Sequence, residues 1–439
     1  EHLGQPGYLG SLVPNVVTLG TLLQAGGYRT YIAGKWNVGN EPHNLPNRRG
    51  FDRSFIMGDT GSDNWEPEKR YLPHSARVNW FEDGKPPVMP KEFFSSTFFV
   101  DKTIDYIRSG AASGKPFFAY VGFQANHVPV QAPQAFIDKY KGRYDAGWVA
   151  LREARRNKAA ELGLIPKDTA VVTMATTGDW AALSAKDRQY QARLMEVYAA
   201  MAESLDHEVG RLIAYLKSTG EYDNTVFVFL SDNGPEGSDY KEADLWLRFN
   251  YSRDLERLGG KGAYLVPGPS WASASASPLN TFKFYSGEGG IRSPLIISGV
   301  PGGAHNQIHD GLTHVTDILP TLLDVARVTR PGTSFQGQPI EPPTGRSLVP
   351  VLADPALRVR SADEPLGYEL SGNKALFKGD LKIALNNPPM GDGQWQAGPA
   401  DEVMTEKLLS SCLGHPVEKI EHHGRIIYVP SSQQERNSS

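Results

Sequence analysis

The stretch Thr225-Val-Phe-Val-Phe-Leu-Ser-Asp-Asn-Gly234 decides the fold class. Its apolar residues follow one another without alternation, which is typical of a strand buried on both faces in a parallel sheet covered by helices. In open α/β sheets, ligands bind outside the carboxyl ends of the strands, so Asp232 and Asn233 stand at a candidate site. Their side chains offer oxygen to a hard cation such as Ca²⁺ or Mg²⁺. An Asx turn that ends the strand is an equally weighted alternative.

Strand and helix patterns alternate along the chain around this stretch. Further short apolar blocks predict strands over residues 28–33, 117–123 and 295–298. Helical patterns, the clearest of them an apolar stripe at steps of three and four, cover residues 15–25, 101–108, 148–162, 185–217 and 315–326. This alternation predicts an α/β fold with a largely parallel sheet covered by helices.

The pattern changes after Pro365. Short strand-like pieces separated by turn residues predict a small antiparallel meander over residues 367–370, 374–377 and 381–385. Beyond Ala397 the pattern weakens. We therefore expect three parts: an α/β core over residues 1–360, a partial antiparallel subdomain over 361–396 and an irregular tail over 397–439.

The composition is that of a globular protein, and it narrows the choice of partners. The 439 residues are 40% hydrophobic and carry a formal net charge of −4, which gives no electrostatic reason to expect nucleic acid or an anionic membrane as a partner. The single cysteine, Cys412, excludes a disulfide framework and a cysteine-based zinc cluster. We expect neither a membrane span nor a signal peptide, because no apolar run approaches about 18 residues and no charged-then-apolar leader is present. The compartment stays open.

Three further segments place basic residues at strand ends or beside glycine turns. Lys35 is flanked by glycines, which bring its ammonium group and the backbone close to an anion. His127 follows the strand predicted at 117–123, where it can act as a general acid or bind an anion. Lys283 precedes a glycine-rich turn. Each has a plain alternative when taken alone: ordinary surface lysines and a structural turn histidine.

Together, these residues suggest one metal-assisted pocket for a tetrahedral oxyanion. With their flanking residues they resemble the sulfatases of the alkaline-phosphatase superfamily, closest to the arylsulfatase type. In the family's order, the resemblance is carried by Gly27–Gly39, Gly50–Phe55, Ala125–Pro133, Lys141–Gly147, Val197–Met201, Ser231–Gly234 and Gly289–Arg292. It spans residues 7–396, about nine tenths of the chain.

The resemblance implies a fold and a reaction. The fold is a large mixed, mostly parallel sheet sandwiched by helices, with a small C-terminal antiparallel subdomain. The reaction is hydrolysis of a small-molecule sulfate ester to an alcohol or phenol plus sulfate. In the family, the nucleophile is a formylglycine made from Cys or Ser in a Cys/Ser-x-Pro-x-Arg motif, and Ca²⁺ polarises the sulfate oxygens.

The resemblance also implies roles for individual residues. By position, Asp232 and Asn233 would ligate Ca²⁺. Lys35 would bind sulfate and the aldehyde hydrate. His127 and Lys283 would hold sulfate and assist departure of the alkoxide or phenoxide.

Two departures from the family pattern shape the expectations for this chain. Neither the nucleophile motif nor the family's paired aspartates occur in residues 1–439. We therefore expect no turnover by these residues alone, with a formylglycine-generating enzyme as partner only for a longer parent chain. In the family, the paired aspartates lie on a first strand that is internal to the main sheet. We also expect that the absence of this strand leaves two neighbouring strands without ladder partners, which favours poor solubility or dimerisation.

The second departure is Asn37, which stands where the family usually has a histidine. Asparagine can hydrogen-bond to sulfate but cannot exchange a proton near pH 7. Two alternatives to a sulfuric ester hydrolase therefore stay open. One is a phosphoester or phosphonate hydrolase on the same scaffold, and the other is a non-catalytic protein that keeps the fold.

Overall fold

The computed structural model describes residues 8–72, 77–171, 173–239, 244–397, 417–422 and 425–430. Within them the strands are β1 (Arg29–Lys35), β2 (Arg53–Met57), β3 (Trp80–Glu82), β4 (Phe117–Gly122), β5 (Phe227–Leu230), β6 (Leu295–Ser298), β7 (Ser334–Phe335), β8 (Gln338–Pro339), β9 (Pro365–Leu370), β10 (Asn373–Lys378), β11 (Leu381–Leu385), β12 (Trp395–Ala397), β13 (Val417–His422) and β14 (Arg425–Pro430). The α-helices are α1 (Leu19–Ala25), α2 (Ser95–Gly110), α3 (Gln134–Ile137), α4 (Gly147–Glu161), α5 (Ala185–Ser218), α6 (Asp244–Asn250), α7 (Gly268–Ala276), α8 (Glu288–Ile291), α9 (Ile318–Ala326) and α10 (Val349–Ala353).

The larger sheet of the core has the strand order β3-β2-β1-β4. β1 runs parallel to β2 and β4, with Tyr31 opposite Arg53 on one side and Ala119 on the other. β3 joins the edge antiparallel. The sheet is therefore mixed and mostly parallel, which confirms the predicted fold class. Because parallel strands end at one edge, Lys35 at the end of β1 lies near the chain that leaves β4.

Helices cover both faces of this sheet. On one face, Tyr31 packs in an apolar cluster with Phe99 of α2 and Leu216 of α5, and Ala119 joins it. On the other face, Leu22 and Leu23 of α1 cluster with Leu323 of α9, and Phe118 joins that cluster. Adjacent residues of β4 thus contact opposite layers, as the alternation of side chains along a strand requires.

β5 and β6 form an antiparallel pair, with Phe227 opposite Ser298. The prediction that β5 is buried on both faces of a parallel sheet is wrong, because its one described partner runs antiparallel and because Phe229 is 42% and Leu230 39% exposed. Among the described strands, β5 pairs only with β6 and β4 pairs only with β1. Tyr120 of β4 is 50% exposed. Each of these strands therefore has an open edge within the described part of the chain.

The C-terminal meander forms a small antiparallel sheet of order β12-β11-β10-β9. Its strands contain the three predicted pieces, and Ala375 and Ile383 are its buried apolar residues. The segment predicted as an irregular tail contains Ala397 of β12 and the antiparallel strand pair of β13 and β14. The rest of that tail lies outside the described residues. No helix in the described ranges is long and apolar enough to cross a membrane.

A buried ion pair connects the core to the segment that leads into the small sheet. Asp317, which is fully buried, accepts hydrogen bonds from two guanidinium nitrogens of Arg360 at 2.8 and 2.6 Å. The backbone N–H groups of Arg346 and His314 donate to the same carboxylate at 2.8 and 2.7 Å. Burial alone would raise the pKa of Asp317, but these hydrogen bonds outweigh it and the pKa lies below its ordinary value.

We expect Asp317→Asn to lower the free energy of unfolding by about 3–5 kcal/mol, because Arg360 would stay buried without its counter-charge. Since the pKa of Asp317 is lowered on folding, its contribution is present above the unfolded pKa of about 3.9 and is lost as the pH falls through the folded pKa. Urea unfolding at pH 7 and at about pH 2 measures both effects, because the contribution is lost only below the unfolded pKa. The control is Asp380→Asn, because Asp380 forms an exposed pair with Arg358 at 2.9 Å. Equal losses of unfolding free energy in Asp317→Asn and Asp380→Asn would contradict a stabilising role for the buried ion pair of Asp317.

Candidate active site

Lys35 reaches the site because β1 ends beside the end of β4. Gly34 has φ +120° and lies opposite Gly122, and a Cβ at Gly34 would stand 2.1 Å from the Gly122 carbonyl oxygen. Only glycine fits this approach, and it sets the direction in which the chain leaves β1. The pKa of Lys35 is lowered by burial and then by the charge of Lys283, against the opposing effect of Asp232 and Glu236. Lys35 therefore shares its surroundings with both carboxylates and with the second lysine.

His127 lies in the loop that follows β4. Its Nδ1 is 2.9 Å from the backbone oxygen of Val128, so in the neutral ring the proton belongs on Nδ1. Tyr71 Oη lies 3.5 Å from the same nitrogen. Nε2 faces Glu236, with 3.5 Å to its Oε2. Burial lowers the pKa of His127, and the positive charges of Lys283 and Lys35 lower it further.

Asp232 and Asn233 follow β5 directly, as the sequence predicts. They line a cavity of about 380 Å³ together with Lys283 and Phe284. Asp232 is exposed to this space. The Asn233 amide nitrogen donates to the Gly234 carbonyl at 2.9 Å. The amide oxygen takes no part in this hydrogen bond.

Lys283 is held against the loop that follows β5. Its backbone N–H donates to the Pro235 carbonyl at 3.1 Å. Its Nζ lies 2.9 Å from Glu236 Oε2. A Cβ at Gly237 would stand 2.3 Å from the Phe282 ring, so the two segments touch without space for a larger residue. The loop and Lys283 therefore form one packed unit.

Glu236 is the site residue that the sequence analysis missed. It is only 6% exposed, and its carboxylate contacts both Lys283 and His127. Its position four residues after Asp232 in the same loop was the available signal. That signal was weak, because most glutamates in loops are solvated and the sequence does not show which ones become buried.

The structure brings most of the predicted site residues together. Lys35, His127 and Lys283 act on one another electrostatically, and Asp232 acts on Lys35. Asn37 is the exception: it is exposed, and within the described residues its side chain makes no hydrogen bond to the three basic residues. The result is a cluster of three nitrogen-bearing side chains, which suits a tetrahedral oxyanion, and of these three only Lys283 lines the cavity of about 380 Å³.

Comparison with known proteins identifies the family. The sulfatase family model matches residues 2–328. The chain belongs to the sulfatase family. It is 38% identical over 394 residues to an uncharacterized sulfatase of Schizosaccharomyces pombe, covering 86% of this chain and 70% of that one. It is 33% identical over 352 residues to an arylsulfatase of Klebsiella aerogenes, covering 79% of this chain and 75% of that one.

Solved structures agree on the fold. The crystal structure of Ps i-CgsB in complex with k-i-k-neocarrahexaose superposes with a TM-score of 0.57 at 20% identity, covering 92% of this chain and 74% of that one. This identity is low, so the likeness concerns the fold. It confirms the alkaline-phosphatase-like architecture of the core.

Sulfatases generally use a divalent metal and formylglycine, and the metal can be tested against the residues present. The oxygen atoms of Asp232 and Asn233 fit a hard cation chemically. They are two residues, whereas Ca²⁺ takes about 6–8 oxygen ligands. Within the described ranges, no group of three or more His, Cys, Asp or Glu side chains could hold a metal ion. The described residues therefore supply part of such a site and do not complete it.

We expect Lys283→Met to raise the pKa of His127, because Lys283 is the nearby charge that lowers it most. Titration of the His127 imidazole signals by NMR measures the change, with His127→Asn assigning them. The control is Lys139→Met, which removes an exposed lysine paired with Glu203 and should leave the His127 pKa unchanged. A His127 pKa that stays the same or falls on loss of Lys283 would contradict a shared electrostatic environment for the two side chains.

Proposed function

We propose that the pocket binds the sulfate group of a small-molecule sulfate ester and serves sulfuric ester hydrolysis of the arylsulfatase type. The observation that carries the proposal is the convergence of Lys35, His127 and Lys283 at the carboxyl ends of β1, β4 and the loops beside β5 and β6. Membership of the sulfatase family supports it. So does the identity to an arylsulfatase along most of the chain.

The two lysines hold the sulfate oxygens in this proposal. Ammonium groups donate charge-assisted hydrogen bonds to oxyanions, and partial burial strengthens them. Lys283 arrives with its Nζ already fixed at 2.9 Å from Glu236, so little side-chain freedom is lost on binding. Asn37 would reach the ligand only as a hydrogen-bonding group, since an amide does not exchange protons near neutral pH.

His127 is the residue that moves a proton to the leaving oxygen. Its Nδ1 is committed to the Val128 carbonyl, so Nε2 is the atom that gains or loses a proton inside the cluster. Transfer from Nε2 to a departing alkoxide or phenoxide requires the protonated ring, which then becomes neutral. The lowered pKa makes that protonated ring a stronger acid but less populated at neutral pH, so this step is favoured as the pH falls. In the family reaction, a formylglycine residue would supply the nucleophile, and a divalent metal held by residues such as Asp232 and Asn233 would polarise the sulfate.

Residues 1–439 contain no Cys/Ser-x-Pro-x-Arg motif. We propose that these residues bind a sulfate ester without releasing sulfate, and that a formylglycine-generating enzyme acts only on a longer parent chain. We also propose that Asp232 and Asn233 are two of the ligands of a Ca²⁺ site. Both proposals can be tested by binding measurements on the chain as it stands.

We expect phenyl sulfate to bind to residues 1–439, and Lys35→Ala and Lys283→Ala each to weaken binding about 10- to 100-fold, because each removes a charged hydrogen-bond donor. Isothermal titration calorimetry measures the affinities, and ion chromatography of the mixture measures free sulfate, which should not accumulate. Lys139→Ala is the matched control. Undiminished binding by both site variants would refute the sulfate pocket, whereas sulfate release would refute the need for an additional nucleophile.

We expect Ca²⁺ to bind to residues 1–439 only weakly, with a dissociation constant of about 10⁻³ M, since one carboxylate and one amide are a small share of its ligands. Asp232→Asn should abolish this binding, and Asp380→Asn should leave it unchanged. Calorimetric titration with CaCl₂ is the measurement. A dissociation constant in the micromolar range would mean that further oxygen ligands reach the ion.

A further inference from the structure

Glu236 is a buried carboxylate that lies among the basic residues of the pocket. Glu236 uses both carboxylate oxygens: Oε1 accepts from the Ser238 N–H at 2.8 Å, and Oε2 lies 2.9 Å from Lys283 Nζ and 3.5 Å from His127 Nε2. Its side chain is 5% exposed. A buried carboxylate beside the groups that hold an anion repels that anion, so its presence needs a physical account.

Glu236 remains ionised in this environment. Burial alone would raise its pKa, but the Ser238 hydrogen bonds and the charge of Lys283 outweigh it, and the pKa lies below its ordinary value. The other titratable groups around it include Lys35, His127, Asp232 and Tyr71, and Tyr198 on α5, whose pKa Glu236 helps to raise. Among the basic side chains with an ion-pair contact to Glu236, Lys283 at 2.9 Å is nearer than His127 at 3.5 Å, so the carboxylate acts first on that lysine.

Geometry limits how far a bound anion can be from Glu236. An oxygen that accepts a hydrogen bond from Lys283 Nζ lies about 2.9 Å from that nitrogen. Because Nζ is itself 2.9 Å from Glu236 Oε2, the bound oxygen is no more than about 6 Å from the carboxylate. At that separation in a partly buried pocket, the repulsion is not screened away and grows in proportion to the charge of the ligand.

We propose that Glu236 is a specificity-determining residue that biases the sulfate pocket toward singly charged tetrahedral esters and against doubly charged ones. A sulfate monoester carries one negative charge, whereas a phosphate monoester carries close to two above its second pKa of about 6. Equal shape and unequal charge make this the main physical difference between the two ligands. The inference rests on the proposed function, since it concerns the same pocket.

The test compares phenyl sulfate with phenyl phosphate at pH 8 by isothermal titration calorimetry. We expect Glu236→Gln to shift the ratio of the two association constants about tenfold toward phosphate, because loss of one negative charge favours the dianion more. Glu236→Asp keeps the charge and should keep the wild-type ratio. The matched control is Glu203→Gln. It changes the net charge by the same amount as Glu236→Gln but removes a carboxylate of α5 that pairs with Lys139.

A merely structural Glu236 gives a different result. If Glu236→Gln weakens both ligands by the same factor, the residue supports the fold of the pocket and the inference is overturned. Should that variant be unstable, Lys283→Met and Glu236→Gln/Lys283→Met provide the comparison, since the double variant leaves no buried lysine unpaired. The double variant is then expected to favour phosphate relative to Lys283→Met, and an unchanged ratio overturns the inference.

Failure of the proposed function is distinguishable from failure of this inference. If the wild-type chain binds neither ester, or if Lys35→Ala and Lys283→Ala leave both affinities unchanged, then the oxyanion pocket itself is refuted. If the wild-type chain binds both esters through these lysines and Glu236→Gln leaves their ratio unchanged, only the role of Glu236 is refuted.

Discussion

The site depends on the confinement of like charges. The charge of Lys283 helps to lower the pKa of the partly buried Lys35, and both lysines lower the pKa of His127. Such an arrangement costs free energy unless an opposite charge is fixed nearby. Glu236 provides that charge at 2.9 Å from Lys283. The pocket can therefore stay polar and preorganised in the absence of a ligand, which is what fast anion recognition needs.

The fold supplies this arrangement through strand ends. Parallel pairing of β1 with β4 brings Lys35 and the His127 loop to the same edge of the sheet. The loop after β5 is bound to the segment around Lys283 by the Pro235 carbonyl and by the contact of Gly237 with Phe282. Four separate parts of the sequence thus meet at one site, two from the ends of β1 and β4 and two from the segments beside β5 and β6, which form a separate pair. The buried pair of Asp317 and Arg360 in turn fixes the segment before the small sheet to the core.

Much of this could be predicted from local patterns. Lys35, His127 and the Asp232–Asn233 pair each follow an apolar block or a glycine turn, and a strand end is a local property of the sequence. Glu236 could not be found this way, because its role comes from contacts with residues far away in sequence. The predicted burial of β5 was wrong for a related reason. An apolar block indicates a tendency to be buried, but the strands and helices packed around it determine how much of it is exposed.

The charges of the pocket also constrain how any ligand binds. With His127 neutral, the formal charges of Lys35 and Lys283 are balanced by those of Asp232 and Glu236. Net attraction at a distance is then small, and affinity must come from short hydrogen bonds to correctly placed nitrogens. In a pocket whose formal charges cancel, the removal of one fixed charge changes the net charge from zero. Each fixed charge therefore has a large effect on which ligand charge binds best. A single carboxylate next to Lys283 can therefore set the preferred charge of the ligand while leaving its preferred shape unchanged.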